Sequence, residues 1–221
     1  MIAKAIIFDL DGTLIDSAPD IASAVNLYLE TRGRGPLSAE DITHFIGNGP
    51  RQLIVDVLEH EQLPVDEATI KEALEAYLGN YSREPASRTE FYDNVPKDLA
   101  TLREAGFRLG ICTNKTQALT QKILALLGID HLFDAAIGAD AVAQSKPHPG
   151  HLAAVWSAMG LGPSDIVYIG DSDVDKETAQ RAGVSFFAVN WGAGANVEVE
   201  PGFRLHRLAD IVRHLEMTHD G

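Results

Sequence analysis

The chain is poor in cysteine, in positive charge and in long apolar runs. One cysteine, Cys112, among 221 residues excludes an internal disulfide. Its place in an apolar stretch reads as a small buried thiol in a protein suited to a reducing cytoplasm. Only 18 Lys and Arg stand against 32 Asp and Glu, a formal net charge of −14. Nucleic acids and anionic membranes are held by clustered basic residues, so neither is expected as a partner. The opening stretch, residues 1–8, has a single charge at Lys4 and is too short for a signal peptide or a membrane span. It reads as a buried strand. There is no internal repeat and no low-complexity segment. What is present, 45% hydrophobic residues, is ordinary for a globule and suffices for one domain with a smaller companion.

Five short apolar runs rich in β-branched residues end in polar or glycine signals: 5–8, 109–112, 135–137, 166–169 and 185–189. Such runs suit strands buried on both faces of a parallel sheet. Helical patterns at 97–105, 116–127, 151–159 and 173–182 alternate with the later runs, which predicts an α/β, doubly wound (Rossmann-like) parallel sheet of about five strands. Between the first two runs lie about a hundred residues with no convincing strand and helical patterns at 20–30, 39–46, 52–59 and 67–81. That interval is too long for a crossover and predicts an α-helical cap inserted after the first strand. The expected division is 1–16 with 89–221 for the core and 17–88 for the cap, with hinges at 16–19 and 85–96, where proline and polar residues interrupt the periodicity.

Ligands of open α/β sheets gather beyond the carboxyl ends of the strands. There the sequence delivers Asp9 and Asp11, then Thr113 and Asn114, then Lys146, then Asp171 and Asp175. Each alone has a bland reading as a turn, a helix cap or a solvated loop residue. Together they supply a nucleophile, a second carboxylate, a hydroxyl, a cation and a cluster of oxygen ligands at one sheet edge. The set resembles the haloacid dehalogenase superfamily, whose four motifs are matched in order by Asp9-x-Asp11-Gly12-Thr13, Thr113, Lys146 and Gly170-Asp171-Ser172-x-x-Asp175. The resemblance implies Asp9 as nucleophile, Asp11 as acid and base, Thr113 and Lys146 as phosphate-holding groups, and a magnesium (Mg2+) site. The ion would be held by the Asp9 carboxylate, the Asp11 main-chain oxygen and Asp171, with Asp175 supporting.

Elementary electrostatics asks for the same parts. A carboxylate approaching a phosphate meets a repulsion of about 4 kcal/mol per charge pair at 4 Å and an effective dielectric near 20, which a hard cation and an ammonium would offset. Asp11, two residues beyond Asp9 in an extended chain, would point to the same side, one attacking while the other protonates the leaving oxygen.

Dehalogenases and phosphonate hydrolases of the superfamily resemble the chain at Asp9 but replace the second Asp, and sugar phosphomutases usually carry a His where Ile21 stands. The continuation Thr13-Leu14-Ile15-Asp16-Ser17-Ala18-Pro19-Asp20, with Gly47-Asn48-Gly49-Pro50-Arg51 and Thr113-Asn114-Lys115, is similar to the phosphoglycolate phosphatase family. One departure is Asp93-Asn94 where that family usually has Pro-Gly. The expected reaction is therefore hydrolysis of a small-molecule phosphate ester, 2-phosphoglycolate first, with pyrophosphate and small sugar phosphates behind it. Asn114, Gly49 and Arg51 are the expected substrate-binding residues, Arg51 gripping a carboxylate or else pairing with an acid such as Asp56. A phospho-aspartate switch module is the non-enzymatic alternative, opposed by the chain's length and by a motif on the first strand. His148 and His151 read as structural, Gly192-Ala193-Gly194 as a rim loop and Trp156 as core. Monomer and homodimer are equally open.

Overall fold

The computed structural model describes residues 3–217. In chain order its elements are β1 (Ala5–Phe8), β2 (Ile15–Asp16), α1 (Ala18–Thr31), α2 (Ala39–Thr43), α3 (Pro50–His60), α4 (Glu67–Tyr81), β3 (Glu90–Phe91) and α5 (Val95–Glu104). They continue with β4 (Arg108–Cys112), α6 (Gln117–Leu126), β5 (Ala135–Ile137), α7 (Pro149–Ala158), β6 (Ile166–Gly170), α8 (Asp173–Ala182), β7 (Ser185–Val189), β8 (Arg204–Leu205) and α9 (Ile211–Met217). The main sheet has six strands in the order β5-β4-β1-β6-β7-β8, every pairing parallel. It exceeds the expected five by β8, whose two residues are too few to carry a periodic signal.

Alternation along β1 explains the two-sided burial. Ile6 and Phe8 join the apolar cluster with Leu99, Leu102, Ile123 and Ile211 of α5, α6 and α9, whereas Ala5 and Ile7 join the one with Leu152, Val155 and Ala179 of α7 and α8. Every β1 side chain is fully buried, so the run is continuously apolar. The register sets Phe8 level with Ile111 and Ile169. The residues just beyond these strands therefore emerge on one edge, and β1, flanked by β4 and β6, lies where the order reverses.

The long interval is helical but not strandless. β2 and β3 form a two-stranded antiparallel ribbon, Ile15 opposite Phe91 and Asp16 opposite Glu90. The ribbon joins the chain's outward and return passages, and α1 to α4 lie between them. The carboxylate of Asp20, 4% exposed, adds a tie by accepting the Arg88 amide at 3.0 Å and the Thr89 hydroxyl at 2.7 Å. Within the insert α4 packs on α1 and α3, burying Val25, Leu29, Leu53, Val57, Ala73 and Tyr77. Ser38 and Asp66 cap α2 and α4 by accepting the first free amides.

The Asp93-Asn94 departure has a backbone reason. Asn94, the residue before α5, has φ 66° and ψ −3°, a left-handed conformation that glycine adopts freely and asparagine tolerates better than other side chains. Asn therefore stands where a glycine would serve. Asn94→Ala is expected to lower unfolding stability by about 1–2 kcal/mol and Asn94→Gly to leave it equal or higher. Urea unfolding of the two variants checks this.

Candidate active site

Asp9 follows β1 directly, its amide donating to the Ile169 carbonyl at 2.9 Å, and its side chain is 6% exposed. Asp9 Oδ1 lies 2.9 Å from Lys146 Nζ. It is an ion pair by distance, but no donor is aligned on that buried oxygen as a hydrogen bond. Lys146 stands on the loop after β5, at 1% side-chain exposure. Its ammonium reaches Asp175 Oδ1 at 2.7 Å and the Tyr168 hydroxyl at 3.0 Å, and Tyr168 donates to the same carboxylate oxygen at 2.6 Å. Asp175 Oδ2 accepts from the amide and hydroxyl of Ser172. Ser172 and Asp175 form the reciprocal capping box of α8, so the cap of a helix aims one carboxylate at the lysine. Asp171 accepts the Thr13 hydroxyl at 2.8 Å.

Gly12 makes this packing attainable. Its φ is +85°, and a Cβ there would stand 2.0 Å from Asp171 Oδ2, far inside contact distance, so the turn after Asp11 admits no side chain.

Burial governs the charges. It pushes the Asp9 carboxyl up to about 7, with Lys146 pulling the other way and Asp175 adding to the rise. Burial, with Asp175 and Asp9 nearby, holds Asp171 well above the usual carboxylate range. For Lys146 burial favours the neutral form, but Asp175 and Asp9 outweigh it and keep the ammonium above the ordinary lysine value. The oxygens of Asp9, Asp171 and Asp175 lie within 4.8 Å of one another and could hold a metal ion. An all-oxygen donor set, one of whose oxygens lacks an aligned donor, suits a hard cation.

On the other side of Asp9 the second carboxylate is held apart from this cluster. Asp11 accepts the hydroxyl of Ser17 on one oxygen, and its other oxygen lies 3.0 Å from Lys115 Nζ. Lys115 also donates to the Tyr81 hydroxyl of α4 at 2.9 Å. Asn114 bridges the two layers, donating to the carbonyls of Gly47 at 2.9 Å and of Lys146 at 3.1 Å. These two acceptors fix the amide, and its buried oxygen has no partner. Between sheet edge and insert lies a cavity of about 40 Å³, walled by Asp9, Asp11 and Thr113 on one side and by Gly49, Pro50 and Leu53 on the other.

The structure thus brings together Asp9, Asp11, Thr113, Asn114, Lys146, Asp171 and Asp175, with Gly49 across the cavity. Arg51, expected at the substrate, lies elsewhere. Pro50 and Leu53, three apart on α3, face the cavity, which at about 100° per residue turns Arg51 away from it. Its guanidinium is 55% exposed and pairs with Glu67 at 2.6 Å, not with Asp56, which accepts from Gln52. Sequence reasoning passed over Lys115, Tyr81, Tyr77 and Tyr168. Lys115 carried a signal, three residues past the end of β4 and two past Thr113. The tyrosines carry no local signal. His148 caps α7 through the Gly150 amide, and His151 accepts the Lys146 amide at 3.2 Å, so both are structural. Trp156 packs half-buried at the core, and 192–196 forms a one-turn 3₁₀ helix beside Asp171.

The profile of the "Haloacid dehalogenase-like hydrolase" family matches residues 6–189, from the strand that delivers Asp9 to the last residue of β7. The chain belongs to that family. Curated relatives carry a narrower name. A phosphoglycolate phosphatase of Cereibacter sphaeroides is 41% identical over 181 residues, 82% of each chain, and one of Aquifex aeolicus is 33% identical over 96% of this chain and 97% of its own. Among solved structures, a predicted phosphoglycolate phosphatase from Haemophilus somnus superposes with a TM-score of 0.84 at 29% identity, covering 96% of this chain and 97% of that one. This member of the haloacid dehalogenase-like hydrolases is a phosphatase, a phosphoric monoester hydrolase acting on a small-molecule phosphate ester. No helix among the described residues is long and apolar enough to cross a membrane.

His151 gives the site's support an acid limit. Burial, reinforced by the Lys146 charge, holds its imidazole down to about 4 from 6.5. The unfolded chain takes up this proton below about 6.5 and the folded one only near 4, so the stability it contributes is present above that window and lost as pH falls through it. Thermal unfolding at pH 7 and pH 4.5 should show a smaller acid loss of Tm in His151→Gln than in the parent. Equal losses would assign the acid sensitivity to other groups.

Proposed function

We propose that the protein hydrolyses 2-phosphoglycolate to glycolate and inorganic phosphate through an aspartyl-phosphate on Asp9, with Mg2+ as its cofactor. The observation that carries this is the buried Asp9 carboxylate 2.9 Å from Lys146, opening on a cavity that it shares with Asp11. The names of the curated relatives support the choice of ester.

An Asp9 oxygen attacks phosphorus, the bond from phosphorus to the ester oxygen breaks, and Asp11 gives that oxygen its proton. Water then attacks the phosphorus of the acyl phosphate, returning a proton to Asp11 and releasing phosphate and the free Asp9 carboxylate. Lys146 and Thr113 hold the phosphoryl oxygens, the lysine adding the charge that lets Asp9 stay ionised while buried. Mg2+, held by the Asp9 and Asp171 carboxylates and the Asp11 main-chain oxygen with Asp175 supporting, would offset the repulsion between nucleophile and phosphate. Residues 17–88 act as the cap that closes over the leaving-group side of the site, with 1–16 and 89–221 as the core. A buried lone thiol at Cys112 supports a cytoplasmic setting.

Asp9→Asn should lower kcat by about 10³-fold or more, and EDTA should stop turnover that added magnesium restores. The deciding measurement is kcat/KM over a panel of phosphate esters with magnesium. A preference for pyrophosphate or a sugar phosphate over 2-phosphoglycolate would overturn the substrate. Stoichiometric rather than repeated phosphate release would overturn the enzyme.

A further inference from the structure

Among the described residues only two Lys or Arg residues are classed as buried, Lys146 and Lys115. Lys146 is committed to Asp9 and Asp175. Lys115 has no part in the steps above, yet its side chain is 4% exposed, a costly place for a charge without a task. It lines the cavity onto which Asp9 and Asp11 open. An ammonium has three N–H donors. Asp11 Oδ2 and the Tyr81 hydroxyl take two, and the Tyr81 ring lies 4.7 Å from the nitrogen.

The two cations pair with different carboxylates, Lys146 with Asp9 and Lys115, on the cavity wall, with Asp11. Lys146 serves the nucleophile's side, and Lys115 serves the side of Asp11, where the departing alcohol takes its proton. The insert contributes Pro50, Leu53 and Tyr77 there, none of them cationic, while Arg51 is turned outward onto Glu67. An anionic group on the leaving alcohol would find one positive partner in this volume. With Lys115 only 3.0 Å from Asp11, a carboxylate that reaches the ammonium while the ester oxygen faces Asp11 sits on a short skeleton, that of a small phosphorylated hydroxy acid.

We infer that Lys115 is the residue that selects the leaving group, its ammonium binding the carboxylate of a phosphorylated short hydroxy acid. The inference rests on the phosphatase reading above and deepens it, replacing Arg51 with a cation carried by the core. A rival role, in which Lys115 merely positions Asp11, would slow every ester that leaves as an alkoxide.

Three esters separate these roles: 2-phosphoglycolate, ethyl phosphate with the same two carbons and no carboxylate, and p-nitrophenyl phosphate, whose leaving group needs no proton. In Lys115→Met, kcat/KM for 2-phosphoglycolate should fall about 10- to 100-fold further than for ethyl phosphate, chiefly through KM. Lys115→Arg should keep most of the preference. Equal losses on 2-phosphoglycolate and ethyl phosphate, with p-nitrophenyl phosphate spared, would overturn the inference in favour of positioning. A parent enzyme that does not prefer 2-phosphoglycolate to ethyl phosphate would instead overturn the substrate assignment beneath it. Should the Met variant not fold, Lys115→Gln, which keeps a donor for Asp11, gives the same comparison.

Discussion

Like charges buried together repel, and the edge of this sheet gathers Asp9, Asp171 and Asp175 with oxygens inside 4.8 Å. The Lys146 ammonium, within 3 Å of two of them, is the interaction on which the rest depends. It makes one carboxylate, Asp175, a fixed support and leaves another, Asp9, as an ion under strain, raised to about 7 by burial and by its neighbour. A nucleophile needs that condition: charged, poorly solvated and not tied up by aligned donors. Tyr168, the Ser172 cap and the His151 ring serve it at one remove, since each fixes Lys146 or Asp175.

The helical insert acts on the same edge from above. Three of its polar contacts with the core are Gly47 to Asn114, Tyr81 to Lys115, and Ser82 to Lys122. Two of the three run through residues beside Thr113. The end of β4 thus also feels where the insert sits, and both layers wall the small cavity between them.

Much of this was legible in the sequence because the signals were local. Continuous apolar runs ending in Asp9, Thr113 and Asp171 mark strands whose ends share an edge, and the long interval without a strand pattern marks an insert. β2, β3 and β8 were missed for a physical reason: two residues cannot show a period of two, and their pairing is decided by partners distant in sequence. Arg51 and Lys115 show another limit. Periodicity finds a helix, but which face of α3 turns Pro50 and Leu53 toward the cavity is set by tertiary packing, which no local pattern states. Asn94 lies between these cases. It departs from a family habit in residue type and keeps, at φ 66°, the backbone that habit implies.

The ribbon that closes the insert has a consequence for how such proteins diversify. Outgoing Ile15 and returning Phe91 face each other, as do Asp16 and Glu90, so everything between them hangs from two adjacent points on the surface of the core. A graft of different size or architecture need match only the spacing of one antiparallel pair. The chemistry and the recognition of substrate can then change on separate schedules, the socket staying constant while the plug is exchanged. Lys115 is the exception that this arrangement exposes, since a new insert would inherit its charge.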